Sequence, residues 1–198
     1  MERIAYSLKY KDIYNRWGLP EGPTHHLIQK AEQRLIEEII NPEPLKLPTS
    51  FRDIRTDQQY IYDLFDGQLQ EELIVLWLEA QGYEAKKSGC DKDFTLFRDK
   101  VKRINSSADL TVNGKQIEIQ MSRQGKRHKY HIKYHKAEHI LNGRYTLLFI
   151  VGDQYLIVNS NNIDMTDVEY NFAYGGKKCV CYRPTDNDYL NIKDGVTI

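Results

Sequence analysis

Two carboxylates stand close together on a predicted hairpin in the middle of the chain. The segment SADLTVNGKQIEIQ reads as two strands joined by Asn113-Gly114, a dipeptide typical of a tight turn. Asp109 lies in the first strand, and Glu118 and Gln120 lie on one face of the second. Pairing across the turn would bring Asp109 near Glu118. Two carboxylates at the end of a sheet offer the oxygen ligands that Mg²⁺ prefers, so the hairpin predicts a magnesium site.

A third carboxylate, Glu71, lies in a strongly apolar helix. The pattern predicts a helix over 66–81, with Gly82 at its C-terminal end. Glu71 projects into one of the two apolar arcs of this helix, whereas Glu72 falls on the polar strip and is predicted to lie on the surface. A carboxylate in an apolar arc is costly unless a cation pairs with it. Glu71 could therefore join the metal site, or it could be a first-turn glutamate stabilised by the helix dipole.

The strand that carries Glu118 runs directly into the basic tract RQGKRHKYHIKYHK. The whole chain is balanced, with 28 basic and 28 acidic residues, but the segment 115–144 has eight Lys or Arg against two acids. Such a tract would bring phosphate contacts to the edge of the metal site, although a charge run is commonly only a solvated face. The predicted contacts to double-stranded DNA are Arg123, Lys126, Arg127, Lys129, Lys133 and Lys136.

Histidines and cysteines give weaker metal signals. The segment 128–141 favours a helix, although its alternation of apolar residues would equally suit a strand. As a helix it places His128, His131, His135 and His139 in one stripe, and Tyr130, Tyr134, Ala137 and Leu141 on the core side. The stripe could bind zinc or be polar surface near DNA. The three cysteines, Cys90, Cys179 and Cys181, have no paired spacing, which indicates reduced thiols. The last two could ligate zinc, but their alternation also fits an ordinary strand.

The elements that must position these residues follow from periodicity and from Gly and Pro. A helix over 24–40 follows a short helix that ends at Gly18, an order that could form a helix-turn-helix but more often reflects plain packing. The proline-spaced NPEPLKLP after it reads as a linker. We therefore predict a helical appendage at 1–50 and a main domain at 51–198.

Short strands dominate the chain after Gly82, which predicts an α/β domain with a mixed β-sheet core flanked by helices. The predicted strands are YEAKKS, DFTLFR, SADLTV, KQIEIQM, YTLLFIVG and QYLIVNS. The acid-rich stretch from Asn159 onward carries no recognisable chemistry and would finish the sheet or form a dimer interface. No signal peptide or long apolar segment is evident, so we expect a cytoplasmic protein without a membrane span.

The carboxylate hairpin resembles a known nuclease motif. Asp109, eight intervening residues, then Glu118-Ile119-Gln120 is similar to the signature of the PD-(D/E)XK superfamily, and Glu71 matches the helix glutamate that many members carry. The resemblance covers roughly 66–158 and implies a restriction-endonuclease-like fold. It implies that Asp109, Glu118 and the Ile119 carbonyl hold Mg²⁺, and that Glu71 anchors a second ion or its water shell.

The chain departs from the family pattern at two positions. Ser107 and Ala108 replace the proline that commonly precedes the aspartate, which has little consequence. Gln120 replaces the motif lysine, which removes the charge that helps to orient the attacking water in most members. Some restriction enzymes of this type also carry glutamine with the same spacing, so Gln120 alone does not imply an inactive enzyme.

The resemblance implies a Mg²⁺-dependent DNA endonuclease that hydrolyses phosphodiester bonds, most plausibly a type II restriction enzyme. Cutting both strands generally requires two active sites, so we expect a homodimer. The alternatives are a homing, repair or Holliday-junction nuclease on the same fold, and a nuclease-like module that binds DNA without cutting it.

Overall fold

The chain folds as a mixed α/β protein, and its contacts cluster into two compact units, 1–107 and 108–198. The computed structural model describes residues 16–19, 57–88, 108–122, 125–171 and 176–198. The helix predicted over 24–40, the linker, the strand predicted over 93–98 and Cys90 lie outside these ranges. Among the described helices, none has the length and apolar character needed to span a membrane.

A long helix dominates the described part of the first unit. Helix α1 covers Asp57–Ala80 and is followed by strand β1, Ala85–Lys87. The predicted start at Asp66 was wrong, and Glu71 therefore does not lie in the first turn of the helix. The predicted end at Gly82 is confirmed: Gly82 has φ +85°, its N–H donates to Glu79 O, and the Tyr83 N–H donates to Leu78 O at 3.1 Å. These two bonds form a Schellman motif, which satisfies the last carbonyls of the helix. The predicted helix end at Gly18 also lies in this unit, with φ +70°.

The second unit is built on a mixed sheet. Its strands are β2 (Leu110–Val112), β3 (Lys115–Met121), β5 (Tyr145–Val151), β6 (Gln154–Val158) and β9 (Leu190–Asn191), which lie side by side in that order. Strands β2 and β3 form the predicted antiparallel hairpin, and β3 and β5 run parallel. Asn113 (φ +46°) and Gly114 (φ +81°) both adopt positive φ, as a type I′ turn requires. The remaining neighbours are antiparallel.

A smaller antiparallel sheet lies in the same unit. It consists of β4 (Tyr130–Lys133), β8 (Lys177–Tyr182) and β7 (Val168–Asn171), with β8 in the middle. Helix α2, Tyr134–Leu141, follows β4 without a break and connects it to β5. The 3₁₀ turns Asp186–Asp188 and Ile192–Asp194 flank β9. The acid-rich C-terminal stretch therefore supplies strands to both sheets, which is one of the two roles predicted for it.

The apolar core of the second unit joins α2 to both sheets. Its members come from β4, α2, β5, β6 and β8, and they include Ile132, Ile140, Phe149, Leu156 and Val180, all buried. On β5, the core residues Leu147 and Phe149 alternate with side chains on the other face. One face of the main sheet is thus covered by α2 and by the smaller sheet.

The sequence interpretation of 128–141 was wrong in its first half. Residues Tyr130–Lys133 form β4 and pair with β8, and only Tyr134–Leu141 is helical. The alternation of Tyr130 and Ile132 decides this, because both side chains are buried in the core when the segment is a strand. In α2 the buried residues are Ala137 and Ile140, whereas Leu141, predicted on the core side, is exposed.

Neighbouring residues of α2 provide a test of this packing. Ile140 is fully buried and Leu141 is 45% exposed. We expect Ile140→Ala to lower the free energy of unfolding by about 2–5 kcal/mol, because the loss of buried methyl groups leaves a cavity. Leu141→Ala is the matched control and should change it by no more than about 0.5 kcal/mol. Urea unfolding of the full chain measures both, and equal effects would contradict the placement of α2.

Candidate functional site

The hairpin brings Asp109 onto the edge of β3. Leu110 pairs with Ile117, so the antiparallel register places residue 109 across from residue 118. The Ile119 N–H donates a hydrogen bond of 2.8 Å to Asp109 Oδ2. The Asp109 carboxylate is thus held against the backbone that directly follows Glu118.

The backbone of Ile119 presents its carbonyl on the same side. In an extended strand, the N–H and the C=O of one residue point toward the same neighbour. Since the Ile119 N–H points to the Asp109 carboxylate, its C=O also points to the side where β2 begins. Asp109 and the Ile119 carbonyl, two of the three predicted metal ligands, therefore lie on the same side of β3.

Glu118 is a buried carboxylate with a cationic partner. It pairs with Leu147 in the parallel ladder, so its side chain shares the face of a core residue. It is the one buried polar or charged residue of the described chain, at 5% exposure. The ammonium group of Lys136 forms an ion pair with Glu118 Oε1. An unpaired carboxylate would be expensive at this position, so the ion pair makes the burial possible.

Helix α2 carries Lys136 inward. Lys136 lies one helical turn before Ile140, so the two side chains share a face of the helix that turns toward the core. Burial lowers the pKa of Lys136 below its usual value, and the negative charge of Asp109 opposes that shift. Lys136 is therefore within electrostatic reach of both hairpin carboxylates.

A cavity of about 240 Å³ adjoins this ion pair. Its polar lining comes from β3, β4 and α2, and Ile140 and Leu147 form part of its apolar wall. The polar side chains are Glu118, Gln120, His131, Lys133 and Lys136. Gln120 follows Glu118 on the same face of β3, as predicted. The cavity thus gathers two polar side chains of the acid motif and three of the basic tract.

Glu71 lies in the unit 1–107, where it has a cationic partner. Lys87 Nζ lies 3.9 Å from Glu71 Oε2 and 2.9 Å from Glu72 Oε1, and the Lys87 side chain is only 8% exposed. The predicted need of Glu71 for a cation is met by Lys87 in this unit. Glu72 is half-buried in the same network, so its predicted surface location was wrong. The predicted meeting of Glu71 with Asp109 and Glu118 joins two units and stays a prediction.

The described members of the basic tract have different surroundings. Lys126 stacks over the Tyr189 ring at 4.4 Å from its centroid, and Lys129 donates to both carboxylate oxygens of Glu169 at 2.6 and 2.7 Å. Arg127 is exposed and Lys133 lines the cavity. Lys136 is paired with Glu118. Arg123 lies outside the described residues.

The predicted histidine stripe does not form. His131 is on β4, His135 and His139 are on α2, and His139 packs against the Tyr145 ring at 4.8 Å. His131 Nε2 lies 3.2 Å from Glu169 Oε2, and Cys181 is close to both. Lys129 also binds Glu169, so these side chains form an ion-pair network in this structure. Cys179 and Cys181 are free and buried.

Sequence reasoning assigned Lys136 to DNA, whereas the structure pairs it with Glu118. Helical spacing could have predicted this contact. In a helix that begins at Tyr134, Lys136 lies one turn before the buried Ile140, so its side chain points toward the core. The error in the start of the helix hid this relation.

No protein-family model, curated protein or solved structure matches this chain. Its function is therefore inferred from the residues of the site and from their contacts.

The Glu118–Lys136 ion pair predicts a coupling that a stability cycle can measure. Lys136→Met should lower the free energy of unfolding by about 1–3 kcal/mol, because it leaves a buried carboxylate without its ammonium. Combining it with Glu118→Gln should recover part of that loss, since the buried charge is then removed as well. Urea unfolding of both single variants and the double variant measures the coupling. Strict additivity would mean that the two side chains do not interact.

The Glu169 network predicts a dependence of stability on pH. Hydrogen bonds from Lys129 and His131 lower the pKa of Glu169 from 4.5 to about 2. A lowered folded-state pKa stabilises the fold above the unfolded value of 4.5, and this contribution disappears as the pH falls toward 2. Wild type should thus be more stable than Glu169→Gln at about pH 6, and the difference should shrink by about pH 3.

Unfolding in urea at a series of pH values tests this expectation. Glu138→Gln, which removes an exposed carboxylate from α2, controls for the change in net charge. A difference between wild type and Glu169→Gln that is independent of pH would argue against the network.

Proposed function

We propose that this chain is a Mg²⁺-dependent DNA endonuclease of the PD-(D/E)XK type, which hydrolyses phosphodiester bonds in double-stranded DNA as restriction enzymes do. One observation carries most of the weight. Asp109, the Ile119 backbone and the buried Glu118 converge where β2 and β3 meet, with Lys136 on the same carboxylate. Acids and a lysine in such proximity are the groups that metal-assisted hydrolysis uses.

The residues present fit a magnesium ion. Two carboxylates and one carbonyl are hard oxygen donors, which Mg²⁺ prefers over sulfur or imidazole. Glu118 is buried, and a nearby positive charge stabilises it there. Asp109, Glu118 and the Ile119 carbonyl would hold the ion. Mg²⁺, when bound, supplies a coordinated water of lowered pKa and charge neutralisation at the phosphate.

Lys136 can supply the positive charge that Gln120 does not. In the family pattern a lysine stands two residues after the glutamate, on the same strand. Here the ammonium reaches Glu118 from α2 instead. In the proposed reaction Lys136 orients the attacking water or stabilises charge on the phosphate. Gln120 lines the same cavity, and its amide both donates and accepts hydrogen bonds, so it can position that water without carrying charge.

The order of elements agrees with the proposal. A helix that carries a glutamate, a hairpin that carries the acids, the basic tract and the strand pair β5–β6 follow one another along the chain, and this order supports the resemblance. The basic residues Lys126 and Arg127 are exposed beyond the end of β3. Cleavage of both strands generally requires two active sites, so we propose that the chain acts as a homodimer.

Cleavage assays with the full chain test the proposal. Supercoiled, linear and branched DNA are each incubated with Mg²⁺ or with a chelator. We expect cutting only with Mg²⁺, loss of cutting in Asp109→Asn and Glu118→Gln, and a decrease of about 100-fold in rate for Lys136→Gln. Glu138→Gln, an exposed carboxylate on α2, should cut like wild type. Circular dichroism of each variant verifies that it is folded.

Each outcome has a distinct meaning. Discrete fragments support a restriction enzyme, and cleavage limited to branched DNA supports a junction nuclease. Binding without cutting of any DNA form would replace the enzyme with a DNA-binding module. Wild-type activity in Asp109→Asn would show that the site is elsewhere.

A further inference from the structure

Two lysines near the C-terminus lie beside the basic tract, although the sequence analysis gave them no role. Strand β8 pairs with β4 so that Cys179 is opposite Lys133. Lys177 and Lys178 directly precede Cys179 on β8, so they lie near the start of α2, where Tyr134 and His135 follow Lys133. Lys178 Nζ lies 3.7 Å from the centroid of the Tyr134 ring, and the charge of Lys177 acts on His135. We call the four residues Lys133, His135, Lys177 and Lys178 the basic strip.

The basic strip concentrates positive charge at a position where such charge does not stabilise the fold. It surrounds the N-terminal end of α2, and the first turn of that helix contains no acid. The positive end of a helix dipole is unfavourable for cations. Burial lowers the pKa of His135, and the charges of Lys133, His139 and Lys177 lower it further, against the opposing effect of Glu138. These groups repel one another, and a bound anion would relieve the repulsion.

The basic strip is continuous with the candidate active site. Lys133 belongs to the strip and also lines the cavity that contains Glu118 and Lys136. An extended polyanion with one phosphate at this cavity would therefore place its next phosphates along the strip. Lys177 and Lys178 are both exposed, so their ammonium groups are accessible to such a ligand.

We propose that the basic strip binds the phosphodiester backbone of the DNA next to the scissile phosphate, with Lys177 and Lys178 as contacts that direct the strand into the site. This inference rests on the proposed function. Contact with Tyr134 restricts the Lys178 side chain, which reduces the entropy lost on binding. Backbone contacts of this kind contribute affinity without sequence preference.

The salt dependence of DNA binding tests the basic strip. The full chain is titrated in chelator against a fluorescently labelled duplex, over about 50–200 mM KCl, and anisotropy gives the affinity. We expect Lys177→Gln and Lys178→Gln each to reduce the slope of log K against log[KCl] by about 0.9, the value for one lost phosphate contact. Lys193→Gln, an exposed lysine in the turn after β9, makes the same change in charge and should leave the slope unchanged.

The outcomes separate this inference from the proposed function. If wild type cuts and binds DNA but Lys177→Gln and Lys178→Gln behave like Lys193→Gln, the basic strip is wrong and the endonuclease stands. If wild type neither binds nor cuts DNA, both proposals fail. A parallel calorimetric titration uses inorganic phosphate alone. Saturable phosphate binding that is lost in Lys177→Gln, together with unchanged DNA binding, would assign the strip to free phosphate and overturn the backbone contact.

Discussion

The burial of Glu118 is the constraint on which the candidate site depends. A carboxylate can be removed from water only where a positive charge and hydrogen-bond donors replace its hydration. Its place on β3 next to β5 fixes the burial, because the parallel ladder aligns it with the core residue Leu147. The fold must therefore deliver a cation to the edge of an apolar core. Helix α2 does so with Lys136.

That requirement links elements that are distant in the sequence. The I′ turn at Asn113-Gly114 sets the register that holds Asp109 to the Ile119 N–H, while the smaller sheet fixes the start of α2. A shift of one residue in the hairpin would move Asp109 away from the Ile119 N–H and from its place across from Glu118. The acid pair and its lysine thus depend on two independent registers, one in each sheet. The same ammonium lies close enough to Asp109 for the charge of that carboxylate to favour the protonated form of Lys136.

Local patterns predicted much of the second unit but not its long-range contacts. The strands KQIEIQM, YTLLFIV and QYLIV and the hairpin turn could be predicted because alternation and an Asn-Gly pair are local signals. The division of 128–141 into β4 and α2 could not, because the helical and alternating patterns overlap there and pairing with β8 decides between them. Without that division the partner of Glu118 could not be predicted either, because in the sequence Lys136 is indistinguishable from the other cations of the basic tract.

The count of charges in that tract overstates what is available to a ligand. Lys136 neutralises Glu118 and Lys129 neutralises Glu169, so two of its cations stabilise the fold around the site. Other cations come from β8, a strand in an otherwise acidic part of the chain, which pairing brings to the start of α2. The electrostatic surface is therefore a property of the strand pairing and not of the tract. A chain with no net charge can in this way present a positive edge beside a buried acid, because acidic residues such as Glu169 bind cations elsewhere.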